Sequence, residues 1–314
     1  MDTSVFDYHL PSERIAQHSV EPRDHARLLV LSRTQDAFKD SRVYNLPSFL
    51  EPGDVLIFND TKVFKARFFA KKKTGARIEL LFHKPLDTHR WEALAKPTKR
   101  LEVGTELVLD GGWKIIVKEK DADKGTVVLE LPEKTDAFFA YSEQFGDVPT
   151  PPYVNASEET KRGYQTVYAK ETGSVAAPTA GFHFTEPLLH ALREKGVEIH
   201  FVTLHVGIGT FRPMNDGSIQ DHVMHEEWGS VAQPTVEAIH HAKQTGKRVI
   251  AIGTTAVRAL ESAARETGTL QAWSGWTNLF ITPGYMFRVI DGLFTNFHLP
   301  KSTLIVLVSS FLGI

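Results

Sequence analysis

Arg248 to Gly268 reads RVIAIGTTAVRALESAARETG. Arg248 to Ile252 is a short apolar run rich in β-branched residues, of strand length. Gly253-Thr254-Thr255 interrupts it. Ala256 to Arg265 then carries apolar residues at helical spacing, and Gly268 closes the helix. The same alternation extends toward the N-terminus. Thr185 is placed to cap a helix whose apolar face is Leu188, Leu189 and Leu192, and Lys195-Gly196 ends it. Val197 to Leu204 reads as a strand, and Thr235 to Lys243 as a helix followed by Gly246. Strand–helix alternation predicts an α/β domain with a largely parallel sheet. Further out, Leu28 to Leu31 and Val55 to Phe58 read as short buried strands. Pro52-Gly53-Asp54 is a turn before the second, and the polar Asn59-Asp60-Thr61 follows it.

Between Val63 and Leu131 the texture changes. Strand-like runs recur at Ala66 to Ala70, Arg77 to Phe82, Arg90 to Ala95, Glu106 to Leu109, Trp113 to Val117 and Thr126 to Leu131, separated by turn clusters such as Asp110-Gly111-Gly112. Short strands at this regular spacing predict a small antiparallel barrel or sandwich. Phe138 to Phe145 reads as a short helix. Val148-Pro149-Thr150-Pro151-Pro152-Tyr153 reads as an exit linker, because its prolines fit neither helix nor ladder. The expected architecture is α/β plus all-β: an α/β domain built from both ends of the chain, 1–62 and 154–314, with a small antiparallel β-barrel, 63–153, inserted between them.

The chain has 314 residues, of which 42% are apolar and 24% charged, an ordinary globular composition that excludes wholesale disorder. Lys and Arg total 36 against 38 Asp and Glu, so no general basic coat exists. Cysteine is absent. That removes disulfides, thiolate nucleophiles and cysteine-ligated zinc, and fits a reducing compartment. The N-terminus MDTSVFDYHL has no apolar core of a signal peptide. The longest apolar run, Leu304 to Val308, is far shorter than the roughly 18 residues of a membrane span. A cytoplasmic enzyme is the expectation.

Charge is nevertheless uneven. Residues 60–100 hold twelve basic and four acidic residues, a net of +8. A basic face on a small β-domain is what a polyanion requires, since neutralised phosphates release counterions. The alternative is a solvated barrel surface. Gly207-Ile208-Gly209 follows a strand but lacks the third glycine of a dinucleotide fingerprint, so a tight turn is the better reading. The Gly253-Thr254-Thr255 helix start can seat a carboxylate or phosphate, with Arg258 one turn on; plain capping by Thr254 or Thr255 is the alternative. His222 and His225 lie close in sequence, but no accompanying pattern points to a metal. His183, His205 and His298 sit among small, polar or loop-forming residues at strand-end or loop positions. Such positions line ligand sites in α/β folds, whereas a lone histidine there is usually structural.

Longer stretches then carry a resemblance. Phe58 to Lys62 (FNDTK), Tyr164 to Tyr168 (YQTVY), Ser174 to Thr185 (SVAAPTAGFHFT), Thr203 to Pro213 (TLHVGIGTFRP), Gly253 to Ser262 (GTTAVRALES) and Pro283 to Thr303 (PGYMFRVIDGLFTNFHLPKST) resemble the S-adenosylmethionine:tRNA ribosyltransferase-isomerases. The similarity runs in order from about Phe6 to the end. The resemblance implies an α/β domain with an inserted barrel. It implies transfer of the ribosyl part of S-adenosylmethionine to 7-aminomethyl-7-deazaguanine at the tRNA wobble position, giving epoxyqueuosine-tRNA, adenine and methionine. No metal or redox cofactor is implied, S-adenosylmethionine being a substrate. Two departures stand out: the family pattern usually runs on past Phe311, and Lys65 stands where proline is common.

The chemistry then suggests roles. A sulfonium acidifies the ribose C5′ protons, so a base of suitable pKa is needed; His183 or His205 is expected to serve. His298 and Asn296 are candidates for hydrogen bonding to departing adenine. Thr179 and the Gly253, Thr254 and Thr255 helix start are expected to bind substrate, with Arg258 gripping the methionine carboxylate and Phe182 or Tyr285 facing the sulfonium. Lys62, Arg67, Lys71, Lys72, Lys73, Lys96, Lys99 and Arg100 are the expected tRNA contacts. A monomer is expected. Two other classes compete: a tRNA-binding protein without catalysis, and another S-adenosylmethionine-dependent enzyme such as a methyltransferase.

Overall fold

The computed structural model describes residues 1–32, 37–151, 153–154, 157–211 and 214–313. The chain forms two compact units: Met1–Lys62, Pro152–Glu171 and Ala177–Ile314 make one, and Val63–Pro151 with Thr172–Ala176 the other. Thr172–Ala176 therefore groups with the inserted unit, outside the expected 63–153 range.

In the first unit, Val55–Asn59 is buried at every residue. Its uninterrupted apolar run suits a central strand covered on both faces. Val55 and Ile57 point to one layer, with Val236, Ile239, Ala256, Leu260 and Leu307. Leu56 and Phe58 point to the other, with Leu188, Leu189 and Leu192. The six-stranded sheet runs Trp273–Thr277, Glu227–Val231, Glu198–Leu204, Val55–Asn59, Val249–Ile252, Gly292–Phe294. The last four of these are mutually parallel, and the first two pair antiparallel. The α/β reading thus holds, with an antiparallel edge that alternation alone does not encode.

The expected helices are present as Glu186–Glu194, Gln233–Gln244 and Thr254–Ala263. Thr185 caps the first, its Oγ1 accepting from Leu188 N at 3.3 Å. Leu28 to Leu31 departs from expectation. Arg27–Leu31 lies in a separate two-stranded ribbon with Phe38–Arg42, and Leu29 and Leu31 are exposed. The apolar run predicted burial, but among the described residues nothing covers that face enough to bury Leu29 and Leu31.

The second unit is a closed six-stranded antiparallel barrel. Around it run Thr126–Glu130, Arg90–Lys96, Arg77–Pro85, Arg67–Lys72, Glu106–Leu109 and Lys114–Asp121. Inward residues alternate along strands such as Arg67–Lys72 and Arg90–Lys96, and Phe68, Ile78, Phe82 and Trp91 fill the interior. The helix Thr135–Phe145 contributes Phe138, whose ring lies 4.7 Å from that of Phe82 and 5.1 Å from that of Trp91. An aromatic-filled barrel has no room for a ligand inside, so any function of this unit belongs to its outer surface.

Candidate active site

The parallel strands deliver their carboxyl ends to one region. Asn59, His205, Gly253 and the Thr295–His298 segment each follow directly from, or end, one of them. Open α/β sheets bind ligands at this end. Asn59 itself is structural: its Nδ2 donates to Leu204 O at 3.0 Å and its Oδ1 accepts from Leu204 N at 2.9 Å, fastening two strand ends together.

The structure joins Thr179 and His183, on one short helical turn, to Asn296, more than a hundred residues away. His183 Nε2 lies 2.7 Å from Asn296 Oδ1, and Asn296 Nδ2 donates to Thr179 Oγ1 at 3.0 Å. In that amide orientation Asn296 Oδ1 only accepts, so His183 carries its proton on Nε2. Nδ1 then keeps a lone pair. Gly253 is adjacent: a Cβ placed on it would lie 3.5 Å from Ala180 Cβ, and its N–H donates to Phe294 O at 2.7 Å.

Gly253 stands at φ 89°, ψ 153°, a conformation essentially confined to glycine, and makes no side-chain cap to the Thr254–Ala263 helix. The first helical bond runs from Val257 N to Gly253 O at 3.3 Å. The N–H groups of Thr254, Thr255 and Ala256 thus lack intrahelical acceptors. Thr255 Oγ1 is buried without a hydrogen-bond partner among the described residues. Capping by Thr254 or Thr255 is not what the structure shows.

His205 stacks on Trp228, ring centroids 5.2 Å apart, and its Nδ1 lies 2.8 Å from Thr61 Oγ1. Burial pulls its pKa down to about 4, against the opposing influence of Glu171. His298 Nε2 lies 3.1 Å from Thr295 Oγ1, and burial lowers this imidazole to about 4 as well. Both rings are neutral at neutral pH.

Three expected substrate contacts are engaged elsewhere. Arg258 is only 4% exposed. Its Nη1 donates to the buried Glu227 carboxylate and its Nε to Leu279 O, leaving Nη2 buried without a partner among the described residues. Glu227 in turn accepts from Gly207 N at 2.8 Å. Arg258 therefore anchors the Gly207 turn instead of presenting an open fork to a carboxylate. Tyr285 donates its hydroxyl to Glu261 at 3.1 Å. Glu261 is fully buried and also takes the N–H groups of Arg288 and Val289, so it needs those donors. Phe182 already has a cation over its ring, the Arg23 guanidinium at 5.2 Å.

Sequence reasoning assigned no role to Asp60 or Tyr168. Burial raises the Asp60 carboxyl above its ordinary value although Thr203 donates to it at 2.7 Å, and Glu171 pushes the same way. Burial, with Asp60 nearby, also raises the Tyr168 phenol. Tyr168 explains Gly181, where a Cβ would fall 1.9 Å from its hydroxyl. The available signal was a polar triplet directly ending a fully apolar strand. Among the described residues, no group of three or more His, Asp or Glu is placed to hold a metal, and His222 instead packs on Phe280.

Of the expected tRNA contacts, Arg67, Lys71, Lys72, Lys73, Lys96, Lys99 and Arg100 lie on the barrel unit and Lys62 on the other. Lys72 Nζ donates to Arg100 O at 2.6 Å, Lys73 lies 3.6 Å from Glu106, and Arg67 lies 3.4 Å from Glu79. Lys71, Lys96 and Lys99 are exposed.

An α/β sheet that gathers histidines and an uncapped helix start at its carboxyl edge has the place and the chemistry of an enzyme's ligand site. The family described as queuosine biosynthesis protein matches residues 3–314, and the chain belongs to it. The S-adenosylmethionine:tRNA ribosyltransferase-isomerases of Halothermothrix orenii and Moorella thermoacetica are each 47% identical to it over 314 residues, covering 100% of this chain and 92% of theirs. The solved structure of the S-adenosylmethionine tRNA ribosyltransferase from Thermotoga maritima matches with a TM-score of 0.54 and 34% identity, over 98% of this chain and 89% of that one. No helix among the described residues is long and apolar enough to cross a membrane.

Proposed function

We propose that this chain transfers the ribosyl moiety of S-adenosylmethionine onto 7-aminomethyl-7-deazaguanine at the tRNA wobble position and isomerises it, releasing adenine and methionine and leaving epoxyqueuosine-tRNA. Family membership supplies the reaction class. The observation that carries the site assignment is the Thr179–Asn296–His183 chain beside the uncapped Gly253 helix start.

S-adenosylmethionine enters as a substrate, and the reading calls for no resident cofactor. Its methionine carboxylate sits on the N–H groups of Thr254, Thr255 and Ala256, where the helix start favours negative charge. His183 Nδ1 removes the C5′ proton that the sulfonium acidifies, while Asn296 and Thr179 hold the ring's tautomer and direction. His205 is the second candidate, but burial makes it a weaker base. His298, neutral, hydrogen-bonds the departing adenine together with Asn296. The tRNA meets the exposed cations of the barrel exterior, Lys71, Lys96, Lys99 and Arg100 foremost. The protein acts as a monomer in the cytoplasm.

Incubation with S-adenosylmethionine and tRNA carrying the aminomethyl base should release free adenine and methionine in equal amounts. Appearance of S-adenosylhomocysteine would point to methyl transfer, and tRNA binding without any product to a non-catalytic role.

A further inference from the structure

The ribbon of Arg27–Leu31 and Phe38–Arg42 sits apart from the six-stranded sheet. Its register opposes Arg27 to Arg42, Leu29 to Asp40 and Leu31 to Phe38. Opposed residues share a face. On the other face, Leu28 packs into the core. The outward face thus sets two arginines directly against each other, an arrangement that repels unless an anion lies between them. The nearby acid does not suffice. Asp40 lies 3.6 Å from Arg27 with both side chains largely exposed, a weak pair in water.

Lys39 opposes Val30, so it leaves the ribbon from the face opposite the two arginines, yet it lines the same cavity. Lys39 Nζ stands 5.2 Å from the centre of the Phe49 ring. Arg42 uses Nη1 on His25 O at 3.0 Å, which leaves other guanidinium donors available. Behind the ribbon, the Val43–Phe49 turn adds Asn45 and Ser48. Arg27, Lys39, Arg42, Asn45 and Ser48, with Asp40, line a cavity of about 570 Å³. Three cations face one carboxylate there. Along the same outward face Leu31 and Phe38 are 51% and 70% exposed. A bare ring beside a cationic groove is the composition of single-stranded nucleic-acid platforms, where bases stack and phosphates pair.

We propose that this ribbon groove binds the RNA substrate, with backbone phosphates on Arg27, Lys39 and Arg42 and an unpaired base on Phe38. The inference rests on the tRNA reading above and adds a contact surface to it. The groove is built from elements that contribute nothing to the Thr179–Asn296–His183 chain. RNA is favoured over a free phosphate-bearing metabolite because the arginine pair, the lysine and the exposed Phe38 ring belong to one open ribbon, matching repeated phosphates and a base.

The test is the triple variant Arg27→Gln, Lys39→Gln, Arg42→Gln against the unaltered chain, using an unmodified tRNA transcript over a salt series. The expected result is a rise in tRNA Kd of at least about tenfold at low salt. The slope of log affinity on log salt should also become shallower by about two, since three phosphate contacts at roughly 0.7–0.9 each are at stake. KM for tRNA should rise, with KM for S-adenosylmethionine unchanged. An unchanged Kd and slope in a folded triple variant overturns the proposal. If the triple variant fails to fold, Lys39→Glu alone serves: its slope should fall by about one, and an unchanged slope overturns the proposal equally. Failure of the unaltered chain to bind tRNA overturns the tRNA reading itself, and the groove with it, whereas normal binding that survives the variants removes the groove alone.

Discussion

The two ends of the parallel sheet treat polar groups in opposite ways. At the amino end the groups are joined to one another. Asp54 is buried and accepts from Arg248 Nε at 3.2 Å, from Arg248 N at 3.1 Å and from Glu51 N at 2.8 Å. Arg248 Nη2 also reaches Phe49 O, and Asp291 accepts from Val249 N at 2.9 Å. At the carboxyl end the Gly253 helix start has no side-chain cap, Thr255 Oγ1 has no partner among the described residues, and burial keeps two imidazoles uncharged. A buried polar group without a partner costs about 1–3 kcal/mol. Folding alone does not favour leaving one there. One edge of the sheet holds the fold, and the other is left complementary to something that binds.

The contrast breaks most sharply at His183. His183→Ala should lower the rate of adenine release by about 10² to 10⁴, the usual effect of removing a general base. tRNA affinity should be unchanged, since the residue touches no part of the basic surface. A variant that loses melting temperature yet turns over normally per folded molecule would make His183 structural and move the base to His205 or Asp60.

Arg258 marks how far the open end extends. If its charge serves Glu227, Arg258→Met leaves a buried carboxylate uncompensated and should destabilise the protein by about 3–5 kcal/mol. Thermal or urea unfolding measures this. A folded variant of normal stability with a raised KM for S-adenosylmethionine would return Arg258 to the binding site.

Acid should separate the two ends. His205 and His298 have folded-state pKa values of about 4, below the roughly 6.5 of an unfolded histidine. Between those values the unfolded chain takes up protons that the folded one refuses, so stability falls as pH drops through that window. Asp54 acts later. Burial alone would raise its carboxyl, but the hydrogen bonds from Arg248 and Glu51 outweigh that and hold it below its ordinary value. Its contribution is present above about pH 4 and is lost as pH falls further, through the lowered folded value. Asp54→Asn should cost about 2–3 kcal/mol at neutral pH and remove only the more acidic phase. An equal loss in both windows would contradict the separation of ends.

Legibility followed the same division. The helices, the barrel strands and the central Val55–Asn59 strand were readable because burial imposes periods of 3.6 and 2 on apolar residues. The antiparallel edge was not, since it depends on which strand the chain pairs with after a crossover. Thr179, His183 and Asn296 were each identifiable as loop residues with chemistry. Their union depends on contacts across more than a hundred residues, which no local pattern encodes. Arg258 misled because its position one turn past a helix start suits an anion fork equally well as a bond to Glu227.

The smallest expected effect is the most specific to the open end. Gly253→Ala places a Cβ at 3.5 Å from both Ala180 Cβ and Thr255 Oγ1, ordinary contact distances, so crowding is not the difficulty. The difficulty is the backbone, which at φ 89° and ψ 153° lies where alanine is strained. The cost should be on the order of 1–2 kcal/mol, within the range for such conformations. Relief of that strain turns the peptide that donates to Phe294 O at 2.7 Å and redirects the helix-start N–H groups. Because those groups seat the methionine carboxylate in the proposed mechanism, KM for S-adenosylmethionine should rise about tenfold, the loss of one charge-assisted hydrogen bond. The melting temperature should fall only slightly, while adenine release at saturating S-adenosylmethionine stays near its original rate. A drop in melting temperature with an unchanged KM would show that Gly253 serves the fold alone, and that the carboxyl end is less open than its uncapped helix suggests.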